Sequence, residues 1–138
     1  MAAELHTPGL QFLLEVAFSE QQSVPTNFYI GLATDASLAE GATLASLTEV
    51  SGTGYARQTV ASNNTDFTSA TTGTNDRKVT TKTVTFTAGG TWTGANTVFL
   101  ATTVDGSGKL IASAPLSVTR TLGNGDSLTV SMEIDLTG

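Results

Sequence analysis

The chain contains no cysteine, which excludes a disulfide framework, a thiolate nucleophile and a cysteine-ligated zinc site together. It has one histidine, His6. A serine–histidine pair needs a rigidly held base, and a histidine-built zinc centre needs several ligands. His6 stands just ahead of a short helix, where it is expected to be exposed or frayed, and serves neither purpose. Charge is also scarce: Asp, Glu, Lys and Arg make up 13% of the residues, about half the usual share. Bases are the rarest part of it, six against twelve acids, for a formal net charge of −6. Six scattered bases do not build the cationic face that displaces counterions from a polyanion, so nucleic acid and anionic membrane are excluded as partners. No run reaches the roughly 18 apolar residues that a bilayer-crossing helix requires. The opening "MAAELHTPGLQFLLEVAFSE" lacks a basic start, carries Glu4 and Glu15, and offers no small-residue cleavage site. It is not read as a secretory signal.

Threonine, serine, asparagine and glycine fill the space that charge leaves, and threonine suits a pleated surface. With 138 residues and 39% hydrophobic content, the chain is sized for one domain with a single core. One helix is expected near the N-terminus, capped by Thr7 and started by Pro8. Leu10, Leu13, Leu14, Ala17 and Phe18 fall on one face of it, widened by Phe12 and Val16, leaving Gln11, Glu15 and Ser19 as a narrow polar stripe. That face is expected against a sheet or in a subunit contact. Its polar side has no Lys or Arg to meet anionic lipid. Residues 1–25 are therefore read as an arm with a helix, and residues 26–138 as one β-sandwich domain.

From Asn27 the period changes to two. "NFYIGLATD" places Phe28, Ile30 and Leu32 on one side of a strand. "TLASLTEV" is read as one helical turn in a loop, and "YARQTVAS" as a second strand. Residues 61–81, almost without apolar side chains except Phe67, are read as a long polar excursion with the composition of a mobile segment. "KTVTFTA" alternates through Val84 and Phe86. "NTVFLATTV" and "KLIASAPLSV" flank "DGSG", a hairpin signal, and Pro115 requires an edge or a bulge in its strand. "GNGD" turns the chain into a last strand in which Leu128, Val130, Met132, Ile134 and Leu136 alternate with polar residues. Many short strands between turns predict an all-β fold, a β-sandwich of jelly-roll type with one short N-terminal helix.

The stretch "SGTGYAR" raises the question of a phosphate loop. It has neither the spacing nor the lysine of one, and "YARQTVAS" continues it as a strand where a phosphate loop needs a helix. Gly52 and Gly54 are read as a bend that launches this strand and puts Tyr55 and Arg57 on one face. These are residue types enriched where proteins bind one another. Glu133 and Asp135, two apart on the last strand, form the one carboxylate pair with the makings of a glycosidase, but wetting an outer face is the reading favoured for them. Trp92, Tyr29 and Tyr55 are the platforms available to a carbohydrate-binding module. The acidic turns "DGSG" and "NGD" are explained by turn chemistry without calcium. No catalytic residue, metal or cofactor is assigned.

The order of "NFYIGLATD", "LTEVSGTGYARQTV", "VTFTAGGTWTGANTVFLATT" and "DGSGKLIASAPLSVTRTLGNGDSLTV" resembles a family of small β-rich virion proteins of tailed bacteriophages, tail-fibre-like or capsid decoration (cement) proteins. The matching features are a short helix, the strand at Tyr29–Thr34, the motif at Glu49–Arg57, Trp92 before the central hairpin and the turn at Leu122–Leu128. The resemblance covers about residues 10–136. It implies a non-enzymatic structural subunit of the virion, assembled in the host cytoplasm. A capsid decoration protein that stabilises the shell is favoured over a tail-fibre or baseplate component. The implied partners are the major capsid protein or another virion protein, and further copies of the chain, with a trimer favoured. The interface residues expected are Leu10, Leu13, Leu14, Phe18, Tyr55, Arg57 and Trp92.

Overall fold

β-branched and aromatic residues on a weakly charged chain favour pleated structure. The computed structural model describes residues 1–137 and contains ten strands and one short α-helix among them. In chain order these are β1 (Ala2–Leu5), α1 (Thr7–Leu14) continued by a π turn (Glu15–Ser19), β2 (Asn27–Ala33), β3 (Gln58–Ala61), β4 (Phe67–Thr71) and β5 (Asp76–Thr81). Next come β6 (Val84–Thr87), β7 (Ala95–Ala101), β8 (Leu110–Arg120), β9 (Ser127–Val130) and β10 (Glu133–Thr137). Eight strands form one sheet in the order β3-β2-β7-β8-β1-β10-β5-β4, and β6 pairs with β9 as a separate ribbon. All pairings are antiparallel except β1 with β10. The all-β class with one N-terminal helix is as the sequence implies.

The middle of the large sheet is apolar on both faces. Successive side chains of a strand point to opposite sides. On β2 and β7, Ile30, Leu32, Val98 and Leu100 therefore meet one core, with Phe12, Phe86, Trp92, Val130 and Met132. Ala33, Phe99 and Ala101 meet another on the opposite side, with Leu110 and with Ala42, Leu44 and Leu47 of the β2–β3 connection. The expected helical turn in that connection exists as a single turn, in which the Ser46 and Leu47 amides donate to the Thr43 carbonyl. The hairpin across "DGSG" is formed by β7 and β8 as expected. Its register shifts twice. One shift, between Ala95 and Thr97, lies beside Pro115, where the missing N–H requires a bulge; the other leaves Ile111 as an extra residue between Leu110 and Ala112.

The bulged Ile111 receives the N-terminus. The His6 amide donates to the Ile111 carbonyl at 3.0 Å, and Gly9 lies so close that a Cβ there would run into that same carbonyl and the Ile111 Cα. Only glycine permits this approach. The face of α1 that touches the sheet is thus set by Gly9 and Phe12, both buried, with Val16 packed behind them. The cap is His6 and not Thr7, which begins the helix itself, and no side chain caps it. Residues 2–5, expected as part of an arm, are a strand inside the large sheet between β8 and β10.

Two further expectations are corrected. Residues 61–81 are not a mobile excursion: they contain the β4–β5 hairpin, joined to β10 through five residue pairs from Glu133–Thr80 to Thr137–Asp76. Threonine supplies the strand propensity that hydrophobic alternation does not show. Asp66 closes the base of the hairpin, accepting from the Ala61 amide at 2.8 Å and the Lys82 ammonium at 2.7 Å. The last strand is also not continuous. It leaves the ribbon after Val130 and enters the large sheet at Glu133, turning the corner where Met132 N–H donates to Thr81 Oγ1 and Thr81 N–H to the Met132 carbonyl.

These contacts set two expected outcomes. Gly9→Ala is expected to destabilise the protein by about 2 kcal/mol through overpacking, measured by urea unfolding. The hydrogen bond from Lys82, then that from the Ala61 amide, holds the Asp66 carboxyl below its usual range. A carboxyl lowered on folding stabilises above its unfolded value and loses that contribution as pH falls through the folded one. Stability should therefore decline from about pH 4 downward, and Asp66→Asn should be less stable at neutral pH with a shallower acid decline in the same unfolding series.

Candidate functional site

The two glycines of "SGTGYAR" do bend the chain. Gly52 has φ +150° and Gly54 φ +83°, backbone conformations that L side chains rarely adopt, and a side chain on Gly52 would collide with the Trp92 ring. Trp92 is 2% exposed, and its indole N–H donates to the Thr53 carbonyl at 2.8 Å. Tyr55 comes directly after Gly54. It stacks parallel to Phe86 at 6.1 Å and meets Trp92 edge-on at 5.3 Å. Its hydroxyl accepts from the Leu32 amide at 2.8 Å and donates to Glu49 Oε1 at 2.8 Å. Burial, outweighing the Leu32 hydrogen bond, pushes the phenol far above its usual value, so Tyr55 remains protonated and supplies no base.

Arg57 completes the cluster on the second core. Nε and Nη2 grip Glu49 bidentately at 2.9 and 2.8 Å, Nη1 donates to the carbonyls of Thr103 and Asp105 at 2.8 and 2.7 Å, and the guanidinium lies 5.1 Å from the Phe99 ring centre. Its side chain is 4% exposed. Burial alone would lower the pKa of Arg57; the Glu49 hydrogen bonds and charge overcome it and hold the guanidinium above its ordinary value. Arg57 therefore clamps the β7–β8 turn to the β2–β3 connection. Tyr55, Arg57 and Trp92, expected to contact a partner, direct their polar groups into their own chain.

His6 is the opposite of frayed. It is 1% exposed, with Nε2 2.7 Å from Ser113 Oγ and Nδ1 2.9 Å from the Ala39 carbonyl and 3.2 Å from that of Glu40. Carbonyls only accept, so Nδ1 carries a proton and donates to them, while Nε2 is paired with the serine hydroxyl. Nδ1 thus faces two carbonyls, not the carboxylate of a catalytic triad. The imidazole ties β1, β8 and the β2–β3 connection together. Glu133 pairs with Lys78 at 3.3 Å on the sheet surface, where Asp135 is exposed. Asp105 accepts from the Ser107 hydroxyl and, at 2.9 Å, its amide, which keep the carboxyl below its usual range and account for "DGSG" as a turn. Among the described residues no group of three His, Asp or Glu is gathered as for a metal. The buried Trp92 ring presents no stacking face to a sugar.

What the surface does offer is apolar. Leu10, Leu13, Leu14 and Phe18 are 41, 37, 60 and 81% exposed. α1 is apolar nearly all round, so once Gly9 and Phe12 take the sheet, this row is turned outward. The π turn, ended by Glu20 at φ +54°, carries Phe18 furthest out. Beside the row runs an open groove of about 450 Å³ walled by Phe12, Leu13 and Val16 on the helix side, with Phe28, Phe67 and Val79 opposite. Edge-to-face contacts join Phe12 to Phe28 and Phe28 to Phe67 along its floor. A second hollow of about 290 Å³ on the other side of Leu13 is lined by Leu5, Ile111, Ile134 and Leu136, with Arg77 and Lys78 alongside. Sequence periodicity marks this row; it does not reveal the groove, because Phe67 and Val79 belong to the hairpin that polarity disguises.

Against models of protein families, residues 11–136 match the family described as podophage GP4 fiber I protein gp80. No curated protein matches the chain.

The Glu49–Arg57 clamp gives a stability prediction. Arg57→Met, which leaves Glu49 with the Tyr55 hydroxyl alone and removes the donor to two carbonyls, should cost about 2 kcal/mol, read by chemical denaturation. The β7–β8 turn should then become the first segment to exchange amide hydrogens.

Proposed function

Because the chain belongs to this family of podophage fibre proteins, and is thereby a structural protein of the bacteriophage virion, we propose that it is a non-enzymatic fibre subunit that assembles with copies of itself and with another virion protein. The observation that carries this reading is the row Leu10–Leu13–Leu14–Phe18 lying uncovered beside an apolar groove. Apolar surface of this kind, contiguous and bordered by polar residues, marks a protein contact. The buried polar side chains have their hydrogen-bond partners within the chain, since no buried side-chain nitrogen or oxygen among the described residues lacks one. That supports a surface for docking rather than a pocket for chemistry.

A closed ring of three copies fits the role, because a fibre built on a symmetric axis is served by a closed symmetric oligomer. Capsid decoration is the second reading: a subunit that binds the assembled shell but not free capsid protein stabilises it by mass action. The absence of a fibre-forming repeat or coiled coil in the sequence favours it, and the family description favours the fibre.

Counting copies in purified virions by quantitative mass spectrometry separates the two. A fibre subunit should occur as a small multiple of the tail symmetry and label the tail in immunogold images. A count that scales with the capsid lattice, with label spread over the head, would transfer the chain to decoration. Its absence from purified particles would remove both.

A further inference from the structure

We propose that the free edge of β4 takes up an extended segment of another virion protein as an added antiparallel strand, with alternate apolar side chains of that segment entering the hollows beside α1. This rests on the association with another virion protein proposed above. β3 and β4 are the two ends of the eight-stranded sheet, and the pairing register fixes which backbone groups each end leaves free. The Lys82 amide donates to the Asp66 carbonyl at 2.6 Å and the Thr72 amide to the Asp76 carbonyl at 3.4 Å. Hydrogen-bonded pairs alternate along an antiparallel ladder. Thr68 and Ala70 therefore bond to Thr80 and Lys78 of β5, and the backbone of Phe67, Ser69 and Thr71 points outward. The Phe67 amide donates to the Asn63 carbonyl at 3.0 Å, while those of Ser69 and Thr71 have no partner among the described residues.

The other end of the sheet is closed. The Ser62 amide donates to the Thr26 carbonyl, which by the same alternation turns Thr59 and Ala61 outward on β3. Asp66 takes the Ala61 amide and leaves that of Thr59 alone. β4 has no Lys, Arg or Pro and no register shift, the devices that keep exposed edges from pairing. Its free groups repeat every two residues, about 7 Å, a spacing of donors and acceptors that an extended backbone matches. Phe67, Ser69 and Thr71 also share one face. Phe67 and Ser69 wall the groove of about 450 Å³, and Ser69 lines the second hollow as well. A strand paired with β4 therefore directs every second side chain toward those hollows. No charged residue lines the groove, so apolar side chains suit these positions. That selects the occupant. A second copy of β4 would bring Ser69 and Thr71 to the same places, setting hydroxyls against Phe67 and Val79 and leaving the hollows unfilled.

A labelled heptapeptide alternating threonine and valine serves as the probe. Fluorescence anisotropy should show it binding the full chain, and hydrogen exchange should show the Ser69 and Thr71 amides protected in its presence. The same peptide with N-methylated valines, which cannot complete the ladder, should not bind, nor should one with glutamate in place of valine. Ser69→Pro removes an outward donor and no bond to β5. Ser69→Lys, at the same exposed position, places a charge at the hollows and decides the test should the proline disturb the strand. Each variant should weaken binding by about tenfold, the worth of one or two ladder hydrogen bonds, with circular dichroism unchanged. Unprotected Ser69 and Thr71 amides, or equal binding to Ser69→Lys, would overturn the proposal. So would protection of those amides without peptide that grows with protein concentration, which would give the edge to a second copy. None of these results alters the copy number in virions, on which the fibre reading depends.

Discussion

Two-sided burial of the β7–β8 hairpin is the constraint to which the other features answer. Val98 and Leu100 need a cover on one side, Phe99 and Ala101 on the other, and a chain of this length has no second large sheet to supply either. The covers are improvised from a ribbon, a short helix and a long connection. Such elements carry little regular hydrogen bonding of their own, so each is pinned by a buried polar group. His6 fastens the N-terminus to Ser113 and to the connection at Ala39. Tyr55 and Arg57 converge on Glu49. Asp66 closes the hairpin base. His6, Glu49, Tyr55, Arg57, Asp66 and Lys82 are all consumed in this internal fastening.

That allocation explains why the outer surface is plain. A side chain that grips a neighbouring loop is not available to grip a ligand. What remains outside is threonine and serine, scattered charges such as Glu20, Lys109 and Arg120, and a row of leucines with one phenylalanine. Membership in a fibre family gives this economy a purpose, since a virion subunit has to hold its shape and be held by its neighbours.

Local signals in the sequence are legible because they are satisfied locally. "DGSG" and "GNGD" specify turns through Asp and Gly chemistry whatever surrounds them, and Pro115 forces a bulge by lacking an N–H. The hidden features depend on residues distant in the chain. Inward alternation runs in phase from Val130 through Met132 to Ile134, so nothing in the pattern marks the corner where the strand changes sheets. The β4–β5 hairpin is held by β10, more than fifty residues later, and its own apolar content is too small to announce it. α1 is apolar on so many sides that periodicity cannot say which one faces inward; a close approach at Gly9 decides that. His6 looks peripheral in the sequence since its partners, Ala39 and Ser113, lie 33 and 107 positions away.

The parallel pairing of β1 with β10 has a temporal consequence. β1 leaves the ribosome before either of its ladder partners, β8 and β10, has been synthesised. Until then Leu5, Phe12 and Val16 have no sheet to rest on, and closing that pairing spans nearly the whole chain, which makes folding slow. Nascent chains on one messenger therefore hold their stickiest segment bare at the same time. Whatever keeps those segments apart during translation governs the yield of correctly formed subunits as much as the stability of the finished fold does.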